Sequence, residues 1–307
     1  MKWLASIAFT AALVVTPQTS AAAACTWSAS PLSVPSGVTT SYPTGHAGTG
    51  LIVGSGWVSN HWEGIIWRNG SPQKLPAPAA GPGSNYPRAV NANGVVAGYW
   101  TGNDGTTFGW RYTNGSYQRL PGRGTRPSVP TDINAAGDIV GFSNYFACCD
   151  PSHALLWKVS SPSVYTDFGV GFAEGIDDTG RVVVSWGVIF NANGSSTNLA
   201  SPGSSFKVTD FSAGRIVGYS GTQSPYTIVE WNLSGNVVRQ IPNGTPYEVN
   251  SSGSMTIARD GKKAVLRNGL AEFLTSPTPA QRILLGITND HAVISDANSA
   301  TQIWRCS

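Results

Sequence analysis

The chain has 307 residues, of which 41% are hydrophobic and only 11% charged, under half of the roughly 25% charged content usual for soluble domains. Its 36 Gly and 20 Pro exclude a fold of long surface helices, and its 11 Trp, 10 Tyr and 10 Phe exclude an intrinsically disordered chain. The net charge of +3 is scattered, with no Lys/Arg run, which excludes the concentrated basic footprint of a nucleic-acid binder.

In chain order, the first element is a leader. Met1 and Lys2 precede an almost wholly apolar Trp3–Val15, a polar step at Thr16–Ser20, and Ala21–Ala24. A basic start, about a dozen apolar residues and a small-residue cleavage signal describe a secretory signal peptide. The apolar run is too short for a membrane span of about 20 residues, and no later segment approaches that length. Residues 1–24 are therefore expected to be cleaved, leaving a secreted, soluble chain of 25–307 as a single domain. The alternative is a lipoprotein anchored through Cys25, although Ala22 stands where such leaders usually carry Leu.

A repeat follows. Asn91-Ala-Asn-Gly94-Val-Val-Ala-Gly98, Asn134-Ala-Ala-Gly137-Asp-Ile-Val-Gly141, Asp177-Asp-Thr-Gly180-Arg-Val-Val-Val184 and Ser212-Ala-Gly214-Arg-Ile-Val-Gly218 each join a polar turn to a β-branched run. Weaker copies begin near Gly50, Gly253 and His291. Behind each turn lies an apolar strand with a large final residue: Trp67, Trp110, Trp157, Phe190, Trp231, Leu266 and Trp304. The two series interleave as seven units of about 40 residues. Each reads as four short strands, with Asn69-Gly70 and Asn114-Gly115 as hairpin turns. Four strands per unit of that length predict an all-β, seven-bladed β-propeller. The recurring Trp residues are expected to pack between blades.

The third unit reads Thr131-Asp-Ile-Asn-Ala-Ala-Gly-Asp-Ile-Val-Gly141, then His153-Ala-Leu-Leu-Trp157, then Thr166-Asp-Phe-Gly169. It resembles the bacterial extracellular HAF-repeat (His-Ala-Phe repeat) family, with Leu155 where Phe is usual. Units 2, 3 and 5 carry the resemblance most clearly, and His153 alone fills the His position. The resemblance implies a secreted, propeller-like protein and no catalytic residue. His153 is expected to act as a blade-edge hydrogen-bonding group.

No nucleophile elbow, zinc motif or phosphate loop is present, and neither a cofactor nor a metal is expected. Asn91-Ala-Asn-Gly94, Asn103-Asp-Gly105 and Asp177-Asp-Thr-Gly180 lack the ligand spacing of a calcium loop and read as turns capped by their own Asx side chains. Candidate ligand contacts lie instead in the strand-two-to-three loops of the first three units, at Trp57, His61, Trp62, Trp100, Asn103, Asp104 and Tyr145. The between-blade connections add Tyr86, Arg123 and Arg126. Trp57, Trp62 and Trp100 would offer flat faces to sugar rings, with the polar residues fixing hydroxyls. The alternative is that these aromatics pack their own loops.

The expected function is a monomeric, non-catalytic binding module for extracellular carbohydrate or a cell-surface protein partner. The alternatives are a polysaccharide hydrolase or lyase and a structural surface protein.

The seventh unit ends without a fourth strand, and Thr26–Val34 has no unit of its own. That segment is predicted to complete the last blade, removing an open sheet edge. Cys25 and Cys306 would then be neighbours and form a disulfide in an oxidising compartment. Cys148 and Cys149 would then pair with each other, the alternative being two free thiols.

Overall fold

The computed structural model describes residues 25–78, 81–143, 151–203, 205–274, 283–297 and 299–307. They hold 28 strands and no helix, in seven four-stranded antiparallel sheets. Strand β1 is Trp27–Pro31. Blade 1 holds β2 (Thr40–His46), β3 (Leu51–Val58), β4 (His61–Arg68) and β5 (Ser71–Lys74). Blade 2 holds β6 (Gly83–Val90), β7 (Val96–Gly102), β8 (Thr107–Thr113) and β9 (Ser116–Leu120). Blade 3 holds β10 (Ser128–Ile133), β11 (Ile139–Ser143), β12 (His153–Trp157) and β13 (Thr166–Val170). Blade 4 holds β14 (Ala173–Ile176), β15 (Val182–Val184), β16 (Val188–Phe190) and β17 (Ser196–Asn198). Blade 5 holds β18 (Phe206–Ser212), β19 (Arg215–Ser220), β20 (Thr227–Trp231) and β21 (Val237–Ile241). Blade 6 holds β22 (Thr245–Val249), β23 (Met255–Arg259), β24 (Lys262–Arg267) and β25 (Leu270–Phe273). Blade 7 holds β26 (Ile283–Ile287), β27 (Val293–Ala297) and β28 (Ala300–Cys306), and its outer strand is β1.

The ring thus closes through its N-terminal strand. β1 pairs antiparallel with β28, with Trp27 opposite Cys306 and Pro31 opposite Gln302. Trp27 is buried with Val265, Leu274, Ile287, Val293 and Trp304, between blades 6 and 7. Its Nε1–H donates to Glu272 Oε2 at 3.2 Å. The Cys25–Cys306 disulfide covers this seam, with the two Cα atoms 5.3 Å apart. Cys148 and Cys149 lie outside the described residues.

Packing follows the repeat. Trp67, Trp110, Trp157, Trp231 and Trp304 are each at most 1% exposed. Three of them reach the connection arriving from the preceding blade. Trp67 Nε1–H donates to Ser33 O at 2.7 Å, Trp157 to Pro121 O at 2.9 Å and Trp231 to Ala200 O at 2.8 Å. The interblade role expected of these residues therefore includes a hydrogen bond as well as packing area.

The repeated turns link blades as well. Asn91 Oδ1 accepts from the N–H groups of Asn93 and Val95, while its Nδ2 donates to Asn134 O of blade 3. Asn134 reaches Asp177 O of blade 4 in the same way, and Asn250 of blade 6 reaches Thr288 O of blade 7. Asn suits the position because its amide accepts within the turn and donates outward.

Each innermost strand also carries one irregularity at the same register. The shifts fall between Pro43 and Gly45, Pro87 and Ala89, Pro130 and Asp132, and Ala173 and Gly175 in blades 1 to 4. They recur between Val208 and Asp210, Pro246 and Glu248, and Leu284 and Gly286 in blades 5 to 7. Proline fits there because an innermost strand has a free edge and needs no ladder donor on that side.

Candidate functional site, an acid-lined axial cavity

The innermost strands β2, β6, β10, β14, β18, β22 and β26 surround the ring axis, and the seven irregularities fix what points into it. The residues just past them are Gly45, Ala89, Asp132, Gly175, Asp210, Glu248 and Gly286. Four blades thus place little or no side chain at this level, and three place a carboxylate. These carboxylates and His46 form the waist of the axial channel.

Beyond the waist, at the end formed by the strand-one-to-two turns, lies a cavity of about 990 Å³ to which all seven blades contribute. Asn91, Asn134, Asp177, Ser212, Asn250 and Thr288 line it. On the other side of the waist is a chamber of about 260 Å³, bounded by Thr44, Arg88, Thr131, Glu174, Thr209 and Tyr247. His46, Asp132, Asp210 and Glu248 border both spaces.

Each waist carboxylate is held by a neighbouring blade. Asp132 Oδ1 accepts from Ile133 N–H at 2.7 Å, and Oδ2 from Ile176 N–H of blade 4 at 2.9 Å. Asp210 Oδ2 accepts from Val249 N–H of blade 6 at 2.9 Å. Glu248 Oε1 lies 2.9 Å from His46 Nε2 of blade 1. This pair spans blade 7 because Gly286 has no side chain: a Cβ there would strike both Glu248 Oε2 and His46 Nε2.

Burial governs the protonation of these groups. It pushes Asp132 up to about 7 against the two backbone donors, with Glu248 adding repulsion. Burial and then the charge of Glu248 hold Asp210 well above the usual carboxylate range. Burial raises Glu174 to about 7, partly offset by Lys207. Burial alone would lower His46, but Glu248 outweighs it and the imidazole is raised. Titratable groups with shifted pKa values gathered in one cleft make that cleft a candidate functional site. Among the described residues, no group of three or more His, Cys, Asp or Glu is arranged to hold a metal ion.

The residues singled out in the sequence lie at the opposite end, around the strand-two-to-three loops. Trp57 and Trp62 meet edge to face, with centroids 5.1 Å apart, and Tyr42 packs on Trp62 at 5.3 Å. His61 Nε2 is 3.4 Å from Glu63, whose other oxygen binds Lys74 at 2.7 Å. Tyr86 stacks on Tyr99. Asp104 closes its own loop by accepting from Thr106, and Asn103 N–H donates to Pro82 O. Arg123 Nε binds Asp167 at 3.0 Å, Asp167 also accepts from His153 at 2.9 Å, and Arg126 lines a small cleft between blades 2 and 3. Tyr145 lies outside the described residues.

One expectation is corrected. Trp100 is 3% exposed and sits in the blade 1–2 core with Leu51, Val53 and Trp110. It offers no face to a ligand, because β7 turns its ring inward over Gly83. The axial site was missed because its carboxylates lie on strands rather than in long loops. A usable signal was an acid two residues before the turn residue in three units: Asp132-Ile-Asn134, Asp210-Phe-Ser212 and Glu248-Val-Asn250.

No family model and no curated protein matches the sequence. Solved structures do. The likeness is one of fold. A streptogramin B lyase structure is 11% identical over 92% of this chain and 98% of its own, with a TM-score of 0.63. An oligogalacturonate lyase from Vibrio parahaemolyticus is 11% identical over 92% and 97%, with a TM-score of 0.61. YCF48 bound to D1 peptide is 13% identical over 94% and 99%, with a TM-score of 0.52. These neighbours differ in function, and at such identities they establish the propeller and no activity. Among the described residues, no helix is long and apolar enough to cross a membrane.

Proposed function

We propose that the chain is an exported, non-catalytic propeller that binds a hydroxyl-rich ligand, an extracellular carbohydrate, in the axial cavity. The observation that carries this reading is the cavity itself: about 990 Å³, built by all seven blades and lined by Asn, Asp, Ser and Thr side chains interleaved with Val90, Ile133, Ile176, Phe211 and Ile287. That volume is at the upper end of the range for small-ligand sites. The amides of Asn91, Asn134 and Asn250 are engaged in the turns and the next blade, so the acceptors that suit ligand hydroxyls are the carboxylates of Asp132, Asp210 and Glu248. The leader-like first 24 residues and the Cys25–Cys306 disulfide support export. On its repeat residues we read the protein as a divergent HAF-repeat protein. The Trp57–His61–Trp62 group and Arg126 stay as candidate contacts at the far end.

A glycan-array screen of residues 25–307, with Glu248→Gln in parallel, tests the proposal. Saturable binding that the substitution weakens supports it. Binding that Glu248→Gln weakens for no glycan, or no binding to any glycan, overturns it.

A second reading has its own observation. Asp132 and Glu174 titrate near 7 in the channel, where a carboxyl can exchange a proton at neutral pH. A hydrolase or lyase acting on the bound saccharide would use such groups. Released product in the same screen selects this reading.

A further inference from the structure

Eight large hydrophobic side chains stand exposed among the described residues, and three of them lie at the boundary of blades 3 and 4: Val170, Phe172 and Trp186, at 47%, 40% and 43% exposure. Scattered exposed apolar residues are ordinary, but contiguous ones mark an interaction site. Trp186 meets the Val170–Phe172 segment at Gly171. The Trp186 ring lies on the backbone of Gly171, which separates Val170 from Phe172, and any Cβ at Gly171 would enter the ring. Gly171 has φ +140°, a backbone open to glycine alone. Phe172 is fixed by Phe142, edge to face at 4.8 Å. The cause of the exposure is local. β15 and β16 have three residues each, and the turn between them closes at once through Gly187 N–H to Val184 O. No loop of this blade folds back over its tryptophan.

A polar chain runs beside the rings. Gly171 N–H donates to Ser152 O, and His153 pairs with Val170. His153 Nδ1 contacts Asp167, which also binds Arg123 Nε and accepts from Gly169 N–H. The carboxylate is balanced by the guanidinium, so the surface beside the rings is polar but close to neutral.

We infer that Trp186 and Phe172, with the Arg123–Asp167–His153 chain, form a second binding site, which takes a neutral polysaccharide chain. A tryptophan packed on the Gly171 backbone and still 43% exposed presents apolar ring surface at little ordering cost. The apolar CH face of a pyranose covers such a ring, while its hydroxyls require fixed donors and acceptors alongside. A protein partner would need a patch well beyond three side chains to reach the roughly 800 Å² per partner of a stable interface. The site lies at the end of the ring opposite the axial cavity, so either reading can fail without the other.

The test is isothermal titration of residues 25–307 with cellohexaose, xylohexaose, mannohexaose and N-acetylchitohexaose, with tryptophan fluorescence as a second readout. Four proteins are compared: wild type, Trp186→Ala, Trp186→Phe and the axial variant Glu248→Gln. At least one hexaose should bind with a change in tryptophan emission. Trp186→Ala should weaken it at least tenfold and abolish the emission change, Trp186→Phe should retain part of the affinity, and the emission change should survive Glu248→Gln, because no tryptophan lines the axial cavity. Trp186 is surface-exposed, so the melting temperature should hold in both Trp186 variants. Should Trp186→Ala fail to fold, Trp186→Phe and Phe172→Ser carry the comparison. Absence of binding to all four sugars overturns the proposal, as does undiminished binding by the Trp186 variants, or binding lost with Glu248→Gln and kept without Trp186. Capture of a protein partner at this patch in place of any hexaose overturns it too.

Discussion

Glu248 and His46 belong to blades 6 and 1, yet their side chains meet at 2.9 Å across the intervening Gly286 of blade 7. In every other blade the position equivalent to His46 is apolar: Val90, Ile133, Ile176, Phe211, Val249 and Ile287. An imidazole in that slot is stable because Glu248 supplies its counter-charge. The raised His46 pKa means that its contribution to stability is present below the ordinary value near 6.5 and is lost as pH rises through the folded value. Glu248→Gln should bring the His46 titration down below 6.5, measured by NMR of the imidazole protons. An unmoved titration would show that Glu248 is not the partner that matters.

Glu174 should make stability fall with rising pH. Its pKa is raised from 4.5 to about 7 by burial, so the folded state keeps a proton that the unfolded state releases. The resulting stability is present below about 4.5 and is lost as pH rises through 7. Glu174→Gln should remove up to about 3 kcal/mol of that slope. Asp132 and Asp210 act with the same sign, so the variant should be less steep than wild type but not flat. Urea unfolding at pH 4.5, 6 and 8 measures this, and parallel curves for the two proteins would contradict it.

The strand-end tryptophans should differ in cost. Trp157 donates to Pro121 O, whereas Trp110 is buried with its Nε1 unpartnered. Trp157→Phe should therefore destabilise by about 1 kcal/mol more than Trp110→Phe, the net worth of one hydrogen bond. Equal losses in chemical denaturation would make these residues packing elements alone.

Ring closure should dominate unfolding. Reducing the Cys25–Cys306 bond, which spans 281 positions of the sequence, should cost up to about 5 kcal/mol in the chain-entropy model. Removing residues 25–34 also takes away β1 and the buried Trp27, and should leave an aggregating protein. Calorimetry with and without reductant checks the first, and size-exclusion chromatography of the truncated chain checks the second. A well-folded truncation would contradict the closure.

The blades were legible because each must bury the same strand pair, so Asn134-x-x-Gly137 and its copies recur with little freedom. The closure was legible as arithmetic: a final unit short of one strand, and an N-terminal segment without a blade. The axial site was harder to read. Asp132, Asp210 and Glu248 are single residues on regular strands, and only closure of the ring brings them together. Trp100 shows the opposite error. It stands beside a loop in the sequence, but strand alternation turns it inward. Trp186 escaped notice because a short loop suggested an empty one, when the shortness is what leaves its ring uncovered.

The seam has a mechanical consequence. In a propeller closed only by hydrogen bonds between β1 and β28, tension between Cys25 and Ser307 would peel the last blade first. Here that load passes from Cys25 into Cys306 through one covalent bond. The chain between them carries none of it, so the blades should stay folded under forces that would unzip the reduced protein.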